Sequence, residues 1–285
     1  MRNEINDFNE NGYVLVKNFF SSERISKVLN WLDRQDLETK ATMWTDQEPG
    51  VPLAVWPWID KQNTPLADLG KDDKILDFSS KLLGSDVYIW ASKLNFKAAW
   101  CGTVEYYHQD LIYWKDRGYQ KNDMLSCMTF LDKHELSNAA LHIFPGSHKI
   151  GLLEHMTFAN INGLAKNMII PEKLDTLNQK YPVKHIEADP GDVLFFHSLL
   201  VHGSAHNISP RPRRITLSQI NSIKNIPTGV DKKAKEAVIK RAEYEVNETK
   251  RKYDWFKEKL ESQTRSDKIL FTAPIPKKEK SNRNK

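Results

Sequence analysis

Two short segments carry side chains whose type and spacing suit a divalent metal. In segment 106–110, His108 and Asp110 are two residues apart and would point to the same face of a β-strand. A second, apolar segment, 191–201, leads directly into His202. Two imidazoles and one carboxylate make a facial triad that binds iron(II) and leaves coordination positions open. The pattern therefore predicts that these three residues are metal ligands.

Three arginines follow the second segment. Arg213 stands at the start of a predicted strand and can hold a carboxylate in a bidentate clamp that lysine cannot copy. Arg211 and Arg214 are predicted to be surface charges, and Arg214 would point to the face opposite Arg213. A metal triad with open positions, together with a cation for a distant carboxylate, indicates an iron(II) oxygenase that uses 2-oxoglutarate.

These motifs belong to a longer series of short blocks. With that series the sequence resembles the phytanoyl-CoA dioxygenase family of iron(II)- and 2-oxoglutarate-dependent oxygenases, which includes the ectoine hydroxylases. No single block is specific for the family, but the occurrence of all blocks in the family's order is specific. The blocks are Phe8 to Val14, His108-Gln109-Asp110 with Trp114, Leu125-Ser126, Asn138 to Leu141, Phe144 to His148, Pro190-Gly191-Asp192, His202-Gly203-Ser204, Asn207 and Pro212-Arg213.

The resemblance implies a role for each matching residue. The three predicted ligands match the iron ligands, and Arg213 matches the arginine that pairs with the C5 carboxylate of 2-oxoglutarate. Ser204 matches a hydroxyl that binds the same carboxylate. Lys93 matches a basic position near the cosubstrate, and Ser126 is a plausible further contact there. Asp110 retains the carboxylate that related halogenases lack, so the family implies O2-dependent hydroxylation rather than halogenation.

Other residues near these motifs could have either a functional or a purely structural role. Trp114 and Tyr106 are predicted to line a substrate pocket, although aromatic side chains near a β core often only pack. His197 is predicted to share a strand with His202 at opposite parity, and is therefore interpreted as a core or supporting residue. The family often has Asn-Gly where this chain has Asn138-Ala139, which puts the geometry of that turn in question.

The elements that must position these residues are mostly short strands separated by turn residues. This alternation favours an antiparallel sandwich or barrel over βαβ units. We predict a mainly β fold with flanking helices and a double-stranded β-helix, or jelly-roll, core. Segment 42–65 is expected to be a loop that packs aromatics, and 152–179 a partly helical insertion. The predicted strands are 13–16, 87–90, 93–96, 104–107, 125–131, 140–144, 192–196 and 215–219.

Composition divides the chain into two parts. Of 285 residues, 40% are hydrophobic and 28% charged, which excludes a mostly disordered or collagen-like chain. The net charge of +5 arises in the last quarter, since 222–285 holds 18 basic and 10 acidic residues. We predict a dioxygenase domain at 1–226 and a basic segment at 227–285, with a helix at 232–260 and a disordered tail.

Composition also limits the compartment and the partners. Two cysteines and the lack of a long apolar run favour a cytoplasmic protein without a disulfide framework. The expected partner is a small-molecule substrate, with no nucleic acid or membrane, and the expected state a monomer or weak homodimer. Two alternatives stay open: a non-catalytic ligand-binding jelly roll, and an interaction protein that works through its basic helix. A free metabolite or an acyl-CoA thioester could be the substrate.

Overall fold

The computed structural model describes most of the predicted oxygenase domain. The described residues are 2–35, 42–45, 52–57, 59–100, 104–115, 118–119, 123–159 and 165–226. The predicted basic helix, the tail and the sequence after the boundary at 226 lie outside the described residues, so these predictions stay untested. Within the described ranges, no helix is long and apolar enough to cross a membrane.

The helices begin and end where local sequence chemistry dictates. Ser21 caps the second helix by accepting a hydrogen bond from the Arg24 amide, and Asp72 caps the fourth. The fourth helix ends at Gly84, which adopts a left-handed conformation with φ 59°. The α-helices are α1 (Arg2–Asn11), α2 (Ser22–Leu32), α3 (Pro65–Gly70), α4 (Asp73–Leu83), α5 (Ile112–Lys115) and α6 (Pro171–Lys180).

The strands are short, except for two long ones that form the centre of the larger sheet. They are β1 (Tyr13–Val16), β2 (Thr42–Thr45), β3 (Pro52–Pro57), β4 (Val87–Lys97), β5 (Glu105–His108), β6 (Met124–Phe130), β7 (Leu141–Ile143), β8 (His155–Ala159), β9 (Ala165–Ile169), β10 (Lys184–Ile186), β11 (Val193–His197), β12 (His202–Ser204) and β13 (Arg213–Ser222).

Two antiparallel sheets form the jelly roll. The larger sheet has the strand order β1-β11-β6-β13-β4-β3-β2, and the smaller sheet the order β10-β7-β12-β5. Apolar side chains from both sheets, among them Met128, Ile143, Phe196 and Leu217, form one buried cluster between them. The predicted mainly β fold with a jelly-roll core is confirmed.

Helices cover the other face of the larger sheet. Because side chains alternate along a strand, Cys127 and Phe195 point away from the jelly-roll interior. There they join one cluster with Ile25 and Val28 of α2 and Phe78 of α4. The central strands are therefore buried on both faces, which explains why their sequences are almost continuously apolar.

Two segments contain strands that the sequence did not predict. Residues 42–57 include the hairpin β2–β3, because β3 pairs with β4 and so extends the larger sheet. The expectation of a loop from 42 to 65 was wrong there. β8 and β9 pair as antiparallel strands and α6 follows, so the insertion at 152–179 is partly helical as predicted but also contains two strands.

The interpretation of His197 and His202 as residues of one strand was also wrong. His197 ends β11 in the larger sheet, whereas His202 begins β12 in the smaller sheet. A turn joins the two strands, so the parity argument does not apply. His197 packs near Phe8, with ring centroids 6.0 Å apart, and supports the helix-covered face rather than the metal triad.

Candidate active site

Two adjacent strands of the smaller sheet carry the predicted metal ligands. His108 is the last residue of β5 and lies directly opposite His202, the first residue of β12. Asp110 lies in the turn after β5, not on a strand as the sequence suggested, because β5 ends at His108. A Cβ on Gly203 would lie 2.8 Å from the Glu105 carbonyl oxygen, so the close approach of the strands requires glycine there.

The three side chains converge on one point. One ligand atom from each of them lies within 4.8 Å of the other two. The Oδ1 atom of Asp110 is 3.5 Å from His108 Nε2 and 3.6 Å from His202 Nε2. All three residues are buried. Among the described residues, this is the only group of three or more His, Cys, Asp or Glu side chains close enough to bind one metal ion.

Backbone carbonyls set the tautomer of both imidazoles. His108 Nδ1 donates to the Tyr106 carbonyl at 2.7 Å, and His202 Nδ1 donates to the Leu200 carbonyl at 2.9 Å. Each Nε2 therefore presents its lone pair toward Asp110. Hydrogen bonding of the second ring nitrogen is the usual support of a metal-bound histidine. The donor set fits iron(II), because two neutral imidazoles and one carboxylate suit that ion.

The local charges favour these protonation states. Burial raises the pKa of Asp110. The two imidazoles and a hydrogen bond from Ser126 lower it by more, so the pKa lies well below its usual range. Burial and the neighbouring His108 lower the pKa of His202 to about 4. Ser126 Oγ donates to Asp110 Oδ2 and orients the carboxylate. The predicted contact of Ser126 with the cosubstrate stays a prediction.

A second group of polar side chains lies on the inner face of the larger sheet. Arg213 begins β13 directly opposite Lys97 of β4. The guanidinium donates from Nη1 to the Ala139 carbonyl at 3.0 Å, while its buried Nε has no hydrogen-bond partner among the described residues. Lys97 Nζ donates to Ser204 Oγ at 2.8 Å and to the Ala205 carbonyl at 2.6 Å. The unsatisfied donor fits a carboxylate, the group that 2-oxoglutarate would place there.

The turn that supports Arg213 is strained. Ala139 adopts φ 70°, a left-handed conformation that costs a non-glycine residue about 1–2 kcal/mol. Although Ala139 replaces the glycine that the family often has, the turn after Asn138 still forms, with Ala139 in a strained left-handed conformation. Both the capping hydrogen bonds of Asn138 and the Arg213 contact hold it in place.

We expect Ala139→Gly to stabilise the protein by about 1 kcal/mol, since glycine adopts this conformation freely. The melting temperature should rise by roughly 2–4 °C in a domain of this size. Because the carbonyl of residue 139 is unchanged, the KM for 2-oxoglutarate should stay the same. A fall in melting temperature, measured by differential scanning calorimetry, would contradict the strain argument.

The two neighbouring arginines differ from each other. Arg211 is exposed and pairs with Glu135, as expected of a surface charge. Arg214 is not a surface charge, because only 12% of its side chain is exposed. It donates from Nε and Nη2 to the two oxygens of Asp132, each at 2.8 Å, and it also pairs with Asp33. This ion-pair network joins the start of β13 to the end of α2.

Arg214→Ala should therefore destabilise the fold without touching the cosubstrate. We expect a loss of roughly 1.5–3 kcal/mol, the range for hydrogen bonds to charged groups. Urea unfolding measures the loss, and steady-state kinetics of the variant should give an unchanged KM for 2-oxoglutarate. An altered KM with unchanged stability would show that the strand register places Arg214, not Arg213, at the cosubstrate.

The remaining predicted site residues have different surroundings. Lys93 lies on the same face of β4 as Lys97, opposite Leu217, and feels the charges of Asp110 and Glu105. Burial lowers its pKa. Trp114 is only 1% exposed within an apolar cluster, and its buried Nε1 has no hydrogen-bond partner in the part of the chain that the structure describes. For Tyr106 the contact shown is its carbonyl with His108. Substrate contacts of Trp114 and Tyr106 stay predictions.

Sequence reasoning missed several polar residues near the predicted metal ligands. Lys97 was overlooked, although its spacing of four from Lys93 on one strand was a usable signal. Glu105 and Lys166 form an ion pair of 2.9 Å beside His108. The ring of Tyr113 packs edge-on at 5.6 Å from the His108 ring. Lys166 could not have been found from sequence, since it is 58 residues from His108 along the chain.

Gln109 braces the turn between the first two ligands. Its side-chain amide donates to the Gly151 carbonyl at 2.8 Å and to the Leu199 carbonyl at 2.7 Å. Its Oε1 accepts from the Leu153 amide at 2.7 Å. The side chain is fully buried. Gln109 thus connects the turn with the loop that leads to His202.

We expect Gln109→Leu to weaken metal binding by about 10–100-fold, the usual effect of removing support from a metal ligand. The variant leaves buried carbonyls without donors, so its melting temperature should also fall. Calorimetric titration with Mn(II), well below the melting temperature, measures the affinity. Gln179→Leu on the exposed face of α6 is the matched control. Unchanged Mn(II) affinity in Gln109→Leu would show that the brace is dispensable.

Comparison with known proteins decides the family. The model of the phytanoyl-CoA dioxygenase family matches residues 8–215. This chain belongs to the phytanoyl-CoA dioxygenase family. Its curated relatives include the ectoine dioxygenase of Stutzerimonas stutzeri, 29% identical over 231 residues that cover 76% of both chains. The L-proline trans-4-hydroxylase of Streptomyces griseoviridis is 26% identical over 54% of this chain and 61% of the relative.

Solved structures with similar folds agree with this assignment. EctD from S. alaskensis with 2-oxoglutarate and 5-hydroxyectoine superposes with a TM-score of 0.65 and 26% identity, over 81% of this chain and 80% of that one. The same protein has also been solved with bound iron. The epimerase SnoN, with a TM-score of 0.61 and 15% identity over 80% and 86% of the chains, shares the fold.

As a member of the phytanoyl-CoA dioxygenase family, the protein is an iron(II)- and 2-oxoglutarate-dependent dioxygenase of the hydroxylase type, with O2 as oxidant. It acts on a small organic molecule and releases succinate and CO2. The prediction of an enzyme is thereby confirmed over the non-catalytic ligand-binding alternative.

Proposed function

We propose that His108, Asp110 and His202 hold the catalytic iron(II), and that Arg213 binds the C5 carboxylate of 2-oxoglutarate. The main support for this proposal is that three buried ligand atoms lie within 4.8 Å of one another, and that backbone carbonyls set the tautomers of both imidazoles. Ser204 supports the same carboxylate, since its hydroxyl lies on the cavity face beside Lys97. The charge of Asp110 acts on Lys93, and we propose that Lys93 contacts the bound cosubstrate.

The iron supplies the oxidising chemistry when it is bound. The protein side chains do the rest by positioning and by excluding water. Asp110, oriented by Ser126, brings one negative charge to the metal. Arg213 has its Nε free for an incoming carboxylate, because Ala139 occupies only Nη1. Cosubstrate bound between these two points would have its keto acid at the triad and its far carboxylate at β13.

The substrate is proposed to be a small polar metabolite, as in the relatives named after ectoine and L-proline. The experiment uses the full chain with iron(II), ascorbate, 2-oxoglutarate and O2, and measures succinate by liquid chromatography. Ectoine and L-proline are tested first, followed by a metabolite extract searched for products that gain one oxygen. Iron-dependent succinate formation supports the proposal. No succinate in the presence of tightly bound iron would overturn it.

We also propose that the enzyme works in the cytoplasm as a monomer or weak homodimer. Burial raises the pKa of the Cys127 thiol, which suits a cysteine that stays reduced. Sedimentation velocity of the full chain across a concentration series tests the oligomeric state. A stable, concentration-independent dimer would contradict it.

A further inference from the structure

A buried histidine shares one end of the jelly-roll interior with Arg213. His134 follows β6, and its backbone forms an isolated bridge with Ala188 through hydrogen bonds of 2.7 and 3.2 Å. Its side chain is fully buried. The imidazole ring packs edge-on against Phe130, with ring centroids 4.5 Å apart. The proposed function gives this side chain no role.

The strand register places His134 near the start of β13. Phe130 of β6 lies directly opposite Ile215 of β13, and both belong to the apolar cluster between the two sheets. Arg213 is two residues before Ile215 and therefore points to the same face of the sheet. The charge of Arg213 also acts on His134. The imidazole and the guanidinium thus lie at the same end of the interior.

The two ring nitrogens of His134 have different surroundings. Nδ1 faces the Asp132 carbonyl oxygen at 3.3 Å, so Nε2 on the other side of the ring points away from this segment of the chain. Nε2 is buried and has no hydrogen-bond partner among the described residues, and the same holds for Nε of Arg213. Two such nitrogens at one end of the interior are notable, because burying a polar atom without a partner is costly.

The proton of the His134 ring is only loosely held at Nδ1. The 3.3 Å contact with the carbonyl is longer than the 2.7 and 2.9 Å contacts that hold His108 and His202, and longer than an ordinary N–H···O hydrogen bond. Burial, and next the charge of Arg213, lower the pKa of His134 well below its usual range, so the ring is neutral. A neutral imidazole can carry its proton on either nitrogen. With the proton on Nε2, the ring donates into the interior without adding a second cation beside Arg213.

A carboxylate can satisfy both nitrogens at once. Its two oxygens offer about four acceptor sites, so it can accept from Nε of Arg213 and from Nε2 of His134 together. Among the described residues, the two carboxylates whose charges act on Arg213 are each paired with another cation. A ligand is therefore the source of the carboxylate that fits between the two nitrogens.

We infer that His134 donates from Nε2 to the C5 carboxylate of 2-oxoglutarate and binds it together with Arg213. The inference rests on the proposed function and adds a second binding residue for the same carboxylate. The arrangement selects a dicarboxylate, because a 2-oxo acid with an apolar end would leave both nitrogens without a partner.

Binding of the cosubstrate to the metal-loaded protein tests this contact. The full chain is loaded with Mn(II) and titrated with 2-oxoglutarate by calorimetry under argon. We expect His134→Leu to weaken the binding of 2-oxoglutarate at least about tenfold, since a hydrogen bond to a charged group has effects of this size. His134→Gln should keep most of the affinity, because the longer amide can place a donor near the position of Nε2. Mn(II) alone should bind both variants like the parent.

A second ligand shows whether the contact is made to the C5 carboxylate. 2-Oxopentanoate keeps the keto acid but has a methyl group in place of that carboxylate. It should bind the parent more weakly than 2-oxoglutarate does, and it should bind His134→Leu no worse than the parent. Equal losses of affinity for both ligands in His134→Leu would contradict the inference, because a merely structural defect acts on both alike.

The stability of the ligand-free protein separates a binding role from a structural one. His134→Leu removes a buried nitrogen that has no partner, so its urea unfolding midpoint should be unchanged or higher. A lower midpoint together with parental affinity for 2-oxoglutarate would overturn the inference. If His134→Leu does not fold, His134→Asn replaces it, because the shorter amide lies near the position of Nδ1 and should weaken binding in the same way.

Two further variants keep the result interpretable. His185→Leu changes an exposed histidine of β10 and is the matched control, so it should bind both ligands like the parent. Arg213→Ala tests the proposed function separately. If Arg213→Ala weakens the binding of 2-oxoglutarate but His134→Leu does not, only the inference is wrong. If both variants bind 2-oxoglutarate like the parent, the cosubstrate does not lie at this end of the interior, which refutes the proposed site together with the inference.

Discussion

His108→Ala and His202→Ala should each abolish substrate oxidation and lower iron(II) affinity by at least about 100-fold, because even residues that only support a metal ligand contribute about 10–100-fold. Each variant leaves one imidazole and one carboxylate, which cannot complete the facial triad. Iron content is measured by atomic absorption after dialysis, and oxidation by succinate release. The pKa of Asp110 should also rise, since each imidazole helps to lower it.

His185→Ala is the matched control for this experiment. His185 is exposed on β10 of the same sheet, and its ring contacts only the outward-facing His142 among the aromatic neighbours described. It should retain iron and activity. Full activity of His108→Ala or His202→Ala after iron reconstitution would refute the ligand assignment.

Arg213→Ala should raise the KM for 2-oxoglutarate by about 30-fold or more, since loss of one partner from a buried, hydrogen-bonded charge pair costs about 2–5 kcal/mol. Burial lowers the pKa of Arg213 to about 10, but the group stays cationic at neutral pH. The Mn(II) affinity without cosubstrate should stay nearly unchanged, because Arg213 belongs to the other sheet. Kinetics at varied 2-oxoglutarate and calorimetry with Mn(II) make the two measurements.

Arg211→Ala is the control, because its side chain is exposed and pairs only with Glu135 among the described residues. Its KM should match that of the parent. If Arg213→Ala keeps the parental KM while Arg211→Ala does not, the cosubstrate lies at the rim of the jelly roll. That outcome would assign the binding of 2-oxoglutarate to Arg211 instead of Arg213.

The predicted pair His108 and Asp110 shows what the spacing of residues in the sequence can predict. His108 and Asp110 were identified as a pair from their separation alone, although the reason was partly wrong. The strand ends at His108, and the turn braced by Gln109 brings Asp110 to the same point. Two residues of separation allow convergence in either geometry, so the two side chains still come together, and their role as metal ligands stays a prediction.

Arg214 and the hairpin β2–β3 show where local reasoning fails. The parity of β13 correctly separated Arg213 from Arg214, but it did not reveal that Asp132 and Asp33 would enclose Arg214. Likewise, β3 pairs with the free edge of β4 and so joins the larger sheet. Both results depend on partners that the sequence alone does not place nearby.

The sequence by itself predicted the class of fold and the family, and both are confirmed, because ordered motifs and strand alternation can be read along the chain. The roles of the three metal ligands and of the cosubstrate arginine were also predicted from sequence, and these roles stay predictions. The tertiary structure alone decided which distant charges share the cavity. Glu105 meets Lys166 and Lys97 meets Ser204 across separations of 61 and 107 residues. Such pairs form only when strands from different parts of the chain become neighbours, and burial then makes each unpaired charge costly.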